Sequence, residues 1–144
     1  MIAQMRKSIG GWSRFVVSLL GSPIEVVRRM MKWPWKSGAT FVWRDRLTGR
    51  TITSQAGSVY DKFSLAPNLY KQNGQPSDAD RIHDEGWETG VWDSGEWLSF
   101  NDNNRNFRNI LISEGHPSAV VGTYYWFVCR EFMRKKWEDK HGHP

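Results

Sequence analysis

The residues best suited to chemistry are His83 and Asp84, side by side in the stretch PNLYKQNGQPSDADRIHDEGW, residues 67–87. An imidazole can serve as a general base near neutral pH if a carboxylate fixes its tautomer and something electropositive meets the developing oxyanion. Asp102 could be the orienting carboxylate if its helix lies beside that of His83. Asp84 sits about 100° round a helix from His83. It could hold a hard cation together with carbonyls of the preceding loop, because calcium takes carboxylate and backbone oxygens and needs no cysteine. A second reading stays open: a His-Asp dipeptide also arises by chance, and a structural histidine bonded to a neighbouring group involves no chemistry.

The flanking pattern shows which elements must carry these residues. Gly74 and Pro76 precede Ser77, an acidic first turn follows, and Asp80 stands where a capping carboxylate can bond back, so a helix is predicted from about Asp78 to Glu88. Ala79, Ile82, His83, Gly86, Trp87 and Gly90 share one face of it, which turns the imidazole toward the apolar side. Upstream, Phe41–Trp43 and Thr51–Thr53 flank the turn DRLTGR and read as a β-hairpin, with a loop from Gly57 to Pro67 leading to the His83 helix. Downstream, Val91 to Phe100 is predicted as an ordered loop. A helix opens near Asn101, buries Phe107, Ile110 and Leu111, and stops at Gly115-His116-Pro117. One long final helix, about Ser118 to Glu138, is predicted to bury Tyr125, Trp126, Cys129, Phe132, Met133 and Trp137, leaving a disordered HGHP tail. The fold class is α+β, mainly α, with a short hairpin packed against helices.

The totals bound the function without choosing it. A chain of 144 residues buries one modest core, the net charge of +5 suits anionic partners, and the single Cys129 excludes an intrachain disulfide. Charge is concentrated at the ends: residues 1–36 carry seven Lys or Arg against the single Glu25, and Arg130, Arg134, Lys135 and Lys136 cluster near the C-terminus. Residues 1–36 read as an amphipathic basic segment of two helices, the first placing Ile2, Met5, Ile9, Trp12 and Val16 on one side. The second opens at a Ser22–Glu25 capping box with Pro23 at its first position. The apolar run up to Leu20 is broken by Arg14 and is too short to span a bilayer. Arg6, Lys7, Trp12 and Arg14 instead suit in-plane attachment to anionic lipid, and simple packing on the domain is the alternative. Residues 37–144 form the second region, a single domain carrying the His-Asp motif.

Two resemblances add to this reading. The runs NLYKQNGQP, DADRIHDEGW and FNDNNRNFRNIL resemble the phospholipase A2 domain of parvovirus capsid proteins, with its calcium loop, its R-x-H-D-x-x-Y helix and its A-D-x-x-F helix. That resemblance implies His83 as general base, Asp102 as its orienting partner, and Asp84 as a calcium ligand. Carbonyls around Leu65, Ala66 and Asn68 would complete the calcium site. Trp87 stands where that family has tyrosine. The chain also resembles a domain family of unknown function common in tailed-phage and prophage genomes. The hairpin, Gly57, Asp61, Ser64, Pro67, His83-Asp84, Asp102, Phe107 and the aromatic run from Tyr124 to Phe132 follow that family's order. This second likeness implies a phage accessory protein in the host cytoplasm, at the inner-membrane surface or in the virion, and it adds Asp61 and Ser64 as candidate site residues.

The expectation is therefore a phage-type protein with a phospholipase-like His-Asp site hydrolysing lipid esters with calcium at an anionic membrane. The alternative is a non-enzymatic virion, tail or host-interaction protein whose His-Asp pair is structural. Nucleic-acid binding through the basic ends ranks third, since no binding motif accompanies the charge.

Overall fold

The structure is a computed structural model that describes residues 35–36, 38–60 and 77–144, with the backbone alone for the strands at 35–36 and 59–60. The helices expected in residues 2–32, with Arg6, Lys7, Trp12 and Arg14, and the loop residues Asp61, Ser64, Leu65, Ala66 and Asn68 lie outside the described residues. The chain separates into two compact units, Met1–Trp33 and Pro34–Pro144, and all described elements belong to the second.

Four short strands come first: β1 (Trp35–Lys36), β2 (Phe41–Arg44), β3 (Thr51–Ser54) and β4 (Val59–Tyr60). β2 and β3 form the expected hairpin, pairing Phe41 with Ser54 and Trp43 with Ile52, and β1 pairs antiparallel with β4 outside it. The DRLTGR turn is closed by the Asp45 carboxylate, which accepts from the amides of Leu47 and Thr48 and from the Thr48 hydroxyl. Gly49 supplies the left-handed residue the turn requires, at φ 72°. Alternation puts Ile52 and Ser54 on the buried side while Val42 faces out.

Four helices follow: α1 (Asp78–Thr89), α2 (Phe100–Ser113), α3 (Ser118–Val128) and α4 (Glu131–His141). The mainly helical α+β class read from the sequence is the one observed. α1 begins at Ser77, whose hydroxyl accepts from the Ala79 amide. Further capping arrives from the far end of α2, where Glu114 accepts from the Asp78 amide at 2.8 Å and from the Ser77 hydroxyl at 2.7 Å. His116 adds a third bond to that carboxylate at 3.0 Å. A negative group at a helix N-terminus is favoured by the orphan N–H groups there, so Glu114 locks the start of α1 to the end of α2. Gly90, at φ 64°, ends α1 in the left-handed conformation.

α1 presents the predicted face, with Ala79, Ile82, His83, Gly86 and Trp87 all buried, and packs it against α2. Arg81, also buried, ties α1 to the hairpin by donating to the carbonyls of Ala39 and Ser54 and to the Ser54 hydroxyl. The segment between α1 and α2 is ordered as expected. Val91 bridges Trp97, Trp92 is buried, and Asp93 accepts from the Thr51 and Thr53 hydroxyls and the Thr53 amide.

Two expectations about the C-terminal part are corrected. The single helix expected from Ser118 to Glu138 is two helices, because the chain leaves helical geometry at Arg130, φ −63° and ψ 146°. The break leaves a last-turn carbonyl of α3, that of Val128, to accept from the Asn104 amide at 3.1 Å. The burial pattern shifts with it: Val120, Val121, Tyr124, Val128, Met133 and Trp137 are buried, whereas Trp126 and Phe132 stand exposed and Tyr125 and Cys129 are half-buried. The HGHP tail is ordered as well. His141 donates to the Trp87 carbonyl at 3.0 Å, and the His143 ring stacks on Trp97 with centroids 4.8 Å apart. Among the described residues no helix is long and apolar enough to cross a membrane.

Close approach of α1 and α2 depends on Gly86, where an added Cβ would collide with the Asn103 amide group and the Leu98 side chain. Gly86→Ala is expected to lose about 1–3 kcal/mol of stability through overpacking. A denaturant midpoint unchanged from the parent would contradict that packing.

Candidate functional site

His83 sits where periodicity puts it, on the inner face of α1, and is only 2% exposed. The Phe107 ring lies 5.0 Å from the imidazole centroid and Trp87 makes an edge contact at 6.4 Å. Its Nε2 lies 2.9 Å from Oδ1 of Asn104 on α2. The orientation of that amide is fixed from the other side, because Asn104 Nδ2 donates to the Val128 carbonyl. The amide oxygen therefore faces the imidazole, and Nε2 carries the proton and donates. One side-chain pair thus links α1, α2 and α3. The neighbouring Asn103 adds a bond from its Nδ2 to the His83 carbonyl at 3.1 Å.

Burial sets the charge state. Loss of solvation pushes the His83 pKa down to about 4, and the bond to Asn104 only partly opposes that shift. The ring is neutral at physiological pH.

Asp102 occupies a different place from the one assigned to it. The partner of His83 Nε2 is Asn104, and the Asp102 carboxylate accepts from Arg105 Nη1 at 2.5 Å. Arg105 reaches on to the buried Asp45 of the hairpin turn at 2.7 Å. Burial works to raise the Asp45 pKa, but the bonds from Thr48 and Arg105 outweigh it and hold the carboxyl below its usual range. The geometry is simple: residues two apart on a helix point about 200° apart. When Asn104 faces α1, Asp102 is carried toward Arg105 and the hairpin. The sequence reading missed Asn104, although a signal for it exists. In the A-D-x-x-F pattern the acid stands three residues before the phenylalanine, and the residue three before Phe107 is Asn104, not Asp102.

Asp84 is partly buried on α1, one residue beyond His83. Of the four residues assigned to calcium, it alone falls among the described ones. Those residues contain no group of three or more His, Cys, Asp or Glu side chains that could hold a metal ion. Trp87, at the position of the family's tyrosine, is a core residue. Its ring meets Phe100 at 6.3 Å and Trp137 at 5.1 Å, both edge-on. Compared with known proteins, the chain matches no family model, no curated protein and no solved structure.

The depressed His83 pKa has a signed consequence. Below 6.5 the unfolded chain takes up a proton that the folded chain refuses until about pH 4, so stability is full above pH 6.5 and is lost as pH falls toward 4. At about 1.4 kcal/mol per unit, the His83 contribution between pH 7 and pH 5 is about 2 kcal/mol. Urea unfolding at the two pH values is expected to show that loss, with His83→Gln flattening the dependence. Equal stability of the parent at pH 7 and pH 5 would contradict the assignment.

Proposed function

We propose that this chain is a non-enzymatic, phage-type interaction protein in which His83 is a structural tie between helices. The observation that carries the reading is the His83–Asn104 pair: a ring 2% exposed, proton on Nε2, held neutral by burial. A catalytic imidazole must reach the proton it abstracts and then carry positive charge in the transition state. Here the ring lies under the α1–α2 contact, and the partner of its Nε2 is a neutral amide, which does not stabilise an imidazolium as a carboxylate does. The phospholipase resemblance implies Asp102 as the partner, but it is Asn104 that stands three residues before Phe107, where the A-D-x-x-F pattern has its acid, so an asparagine occupies that place. That substitution favours a binding protein that keeps the frame of a hydrolase without its charge. The phage setting rests on sequence resemblance alone.

Vesicles containing anionic phospholipid, incubated with the full chain and calcium, are expected to show no ester hydrolysis above that of a His83→Ala control. His83→Ala is instead expected to lose about 2–4 kcal/mol of stability, because it empties a buried site and strands the Asn104 oxygen. Hydrolysis by the parent that vanishes in His83→Ala would overturn the reading. Calorimetry adds a separate criterion: calcium binding abolished by Asp84→Asn but kept by His83→Ala would favour the hydrolase.

A further inference from the structure

α3 is unusual for a helix on the outside of a domain. Its eleven residues, SAVVGTYYWFV, contain no charge, and apolar side chains lie all round it. A helix apolar on every face is ordinarily covered on every face. α3 covers only the side bearing Val120, Val121, Tyr124 and Val128, and leaves Trp126 at 56% and Phe127 at 40% exposure, their rings packed edge to face. The outward positions before them, Ala119, Gly122 and Thr123, are small and uncharged.

Cations gather where this strip ends. The Arg130 guanidinium lies over the Trp126 ring at 4.3 Å, and Lys136 stands 5.8 Å over the exposed Phe132. From Trp126 to Lys136 the chain carries Arg130, Arg134, Lys135 and Lys136 against Glu131, four positive charges and one negative, or +3. Arg108 of α2 adds a cation over the half-buried Tyr125.

We propose that the elbow between α3 and α4 docks on an anionic lipid bilayer surface, seating Trp126 and Phe127 at the headgroup boundary while Arg130, Lys135 and Lys136 meet lipid phosphates. The division of the surface selects this occupant. Tryptophan and phenylalanine on an uncharged strip, with basic residues at its margin, match an interface that is apolar inward and negative at its edge. A second copy would bring +3 against +3. A nucleic-acid strand would need cations along the strip to follow its phosphates, and α3 has none. The proposal goes beyond the non-enzymatic reading of His83 and does not depend on it: the elbow meets Asn104 through the backbone carbonyl of Val128, whereas docking is assigned to the exposed side chains of Trp126, Phe127, Arg130, Lys135 and Lys136.

The test is co-sedimentation of the full chain with vesicles of phosphatidylcholine alone and of phosphatidylcholine with phosphatidylglycerol. The parent is expected to bind the anionic vesicles, more weakly as salt rises. The double variant Trp126→Ala, Phe127→Ala is expected to bind at least about tenfold more weakly, and so is the triple variant Arg130→Gln, Lys135→Gln, Lys136→Gln. All five side chains are exposed, and unchanged unfolding midpoints would show that the fold is intact. Failure of the parent to bind anionic vesicles would overturn the proposal. So would binding retained in both variants, which would move attachment to residues such as Arg6, Lys7, Trp12 and Arg14. Single-stranded DNA bound more tightly than vesicles, or a dimer dissociated by Trp126→Ala, would overturn it in favour of those occupants. Hydrolysis is read separately on the same vesicles, so failure of the docking and failure of the structural role of His83 are distinguishable.

Discussion

The Asn104 side chain must satisfy two buried groups at once, the Nε2–H of His83 on α1 and the carbonyl of Val128 at the end of α3. A buried polar group without a partner costs roughly 1–3 kcal/mol, so each bond depends on the other two helices being in place. The consequences spread outward. The α1–α2 approach is set by the bare backbone of Gly86, the break after Val128 leaves a carbonyl for the amide, and the neutral imidazole follows from the dry surroundings this packing creates.

A second polar system holds the hairpin to the same helix from the opposite side. Asp45 closes its turn and accepts from Arg105, and Arg105 also donates to Asp102. α2 therefore presents amides inward, toward His83 and Val128, and charges outward, toward the hairpin. Keeping the carboxylates paired with Arg105 keeps negative charge away from the imidazole, which agrees with its depressed pKa. Glu114, which comes between the end of α2 and the start of α1, is met by the Ser77 hydroxyl, the Asp78 amide and His116.

Local rules made much of this legible in the sequence. Alternation and turn chemistry found the hairpin, and Ser77 with the 3.6-residue period found α1 and its buried face, His83 included. The misreadings share one cause, which is that they turn on contacts between elements. Asp102 looked like the partner of His83 because carboxylates do that chemistry, yet the rotation of α2 about its own axis, fixed by packing, brings Asn104 there. The break at Arg130 has no Gly or Pro to announce it and accompanies the capture of the Val128 carbonyl by Asn104. The tail looked free because HGHP has no periodicity, while His141 and His143 find Trp87 and Trp97 more than forty residues away in the chain. The exposed Trp126 was read as core because aromatic content alone does not separate a core face from a docking face.

The central claim is that His83 is a buried, neutral donor to Asn104, and NMR titration of its ring nitrogens and carbon-bound protons tests it most directly. The account predicts a proton fixed on Nε2 at pH 7 and no protonation until about pH 4. In Asn104→Asp the pKa should rise, because a carboxylate now faces the ring. A parent imidazole that titrates near 6.5, or that carries its proton on Nδ1 at neutral pH, would contradict the account and return His83 to the candidates for a catalytic base.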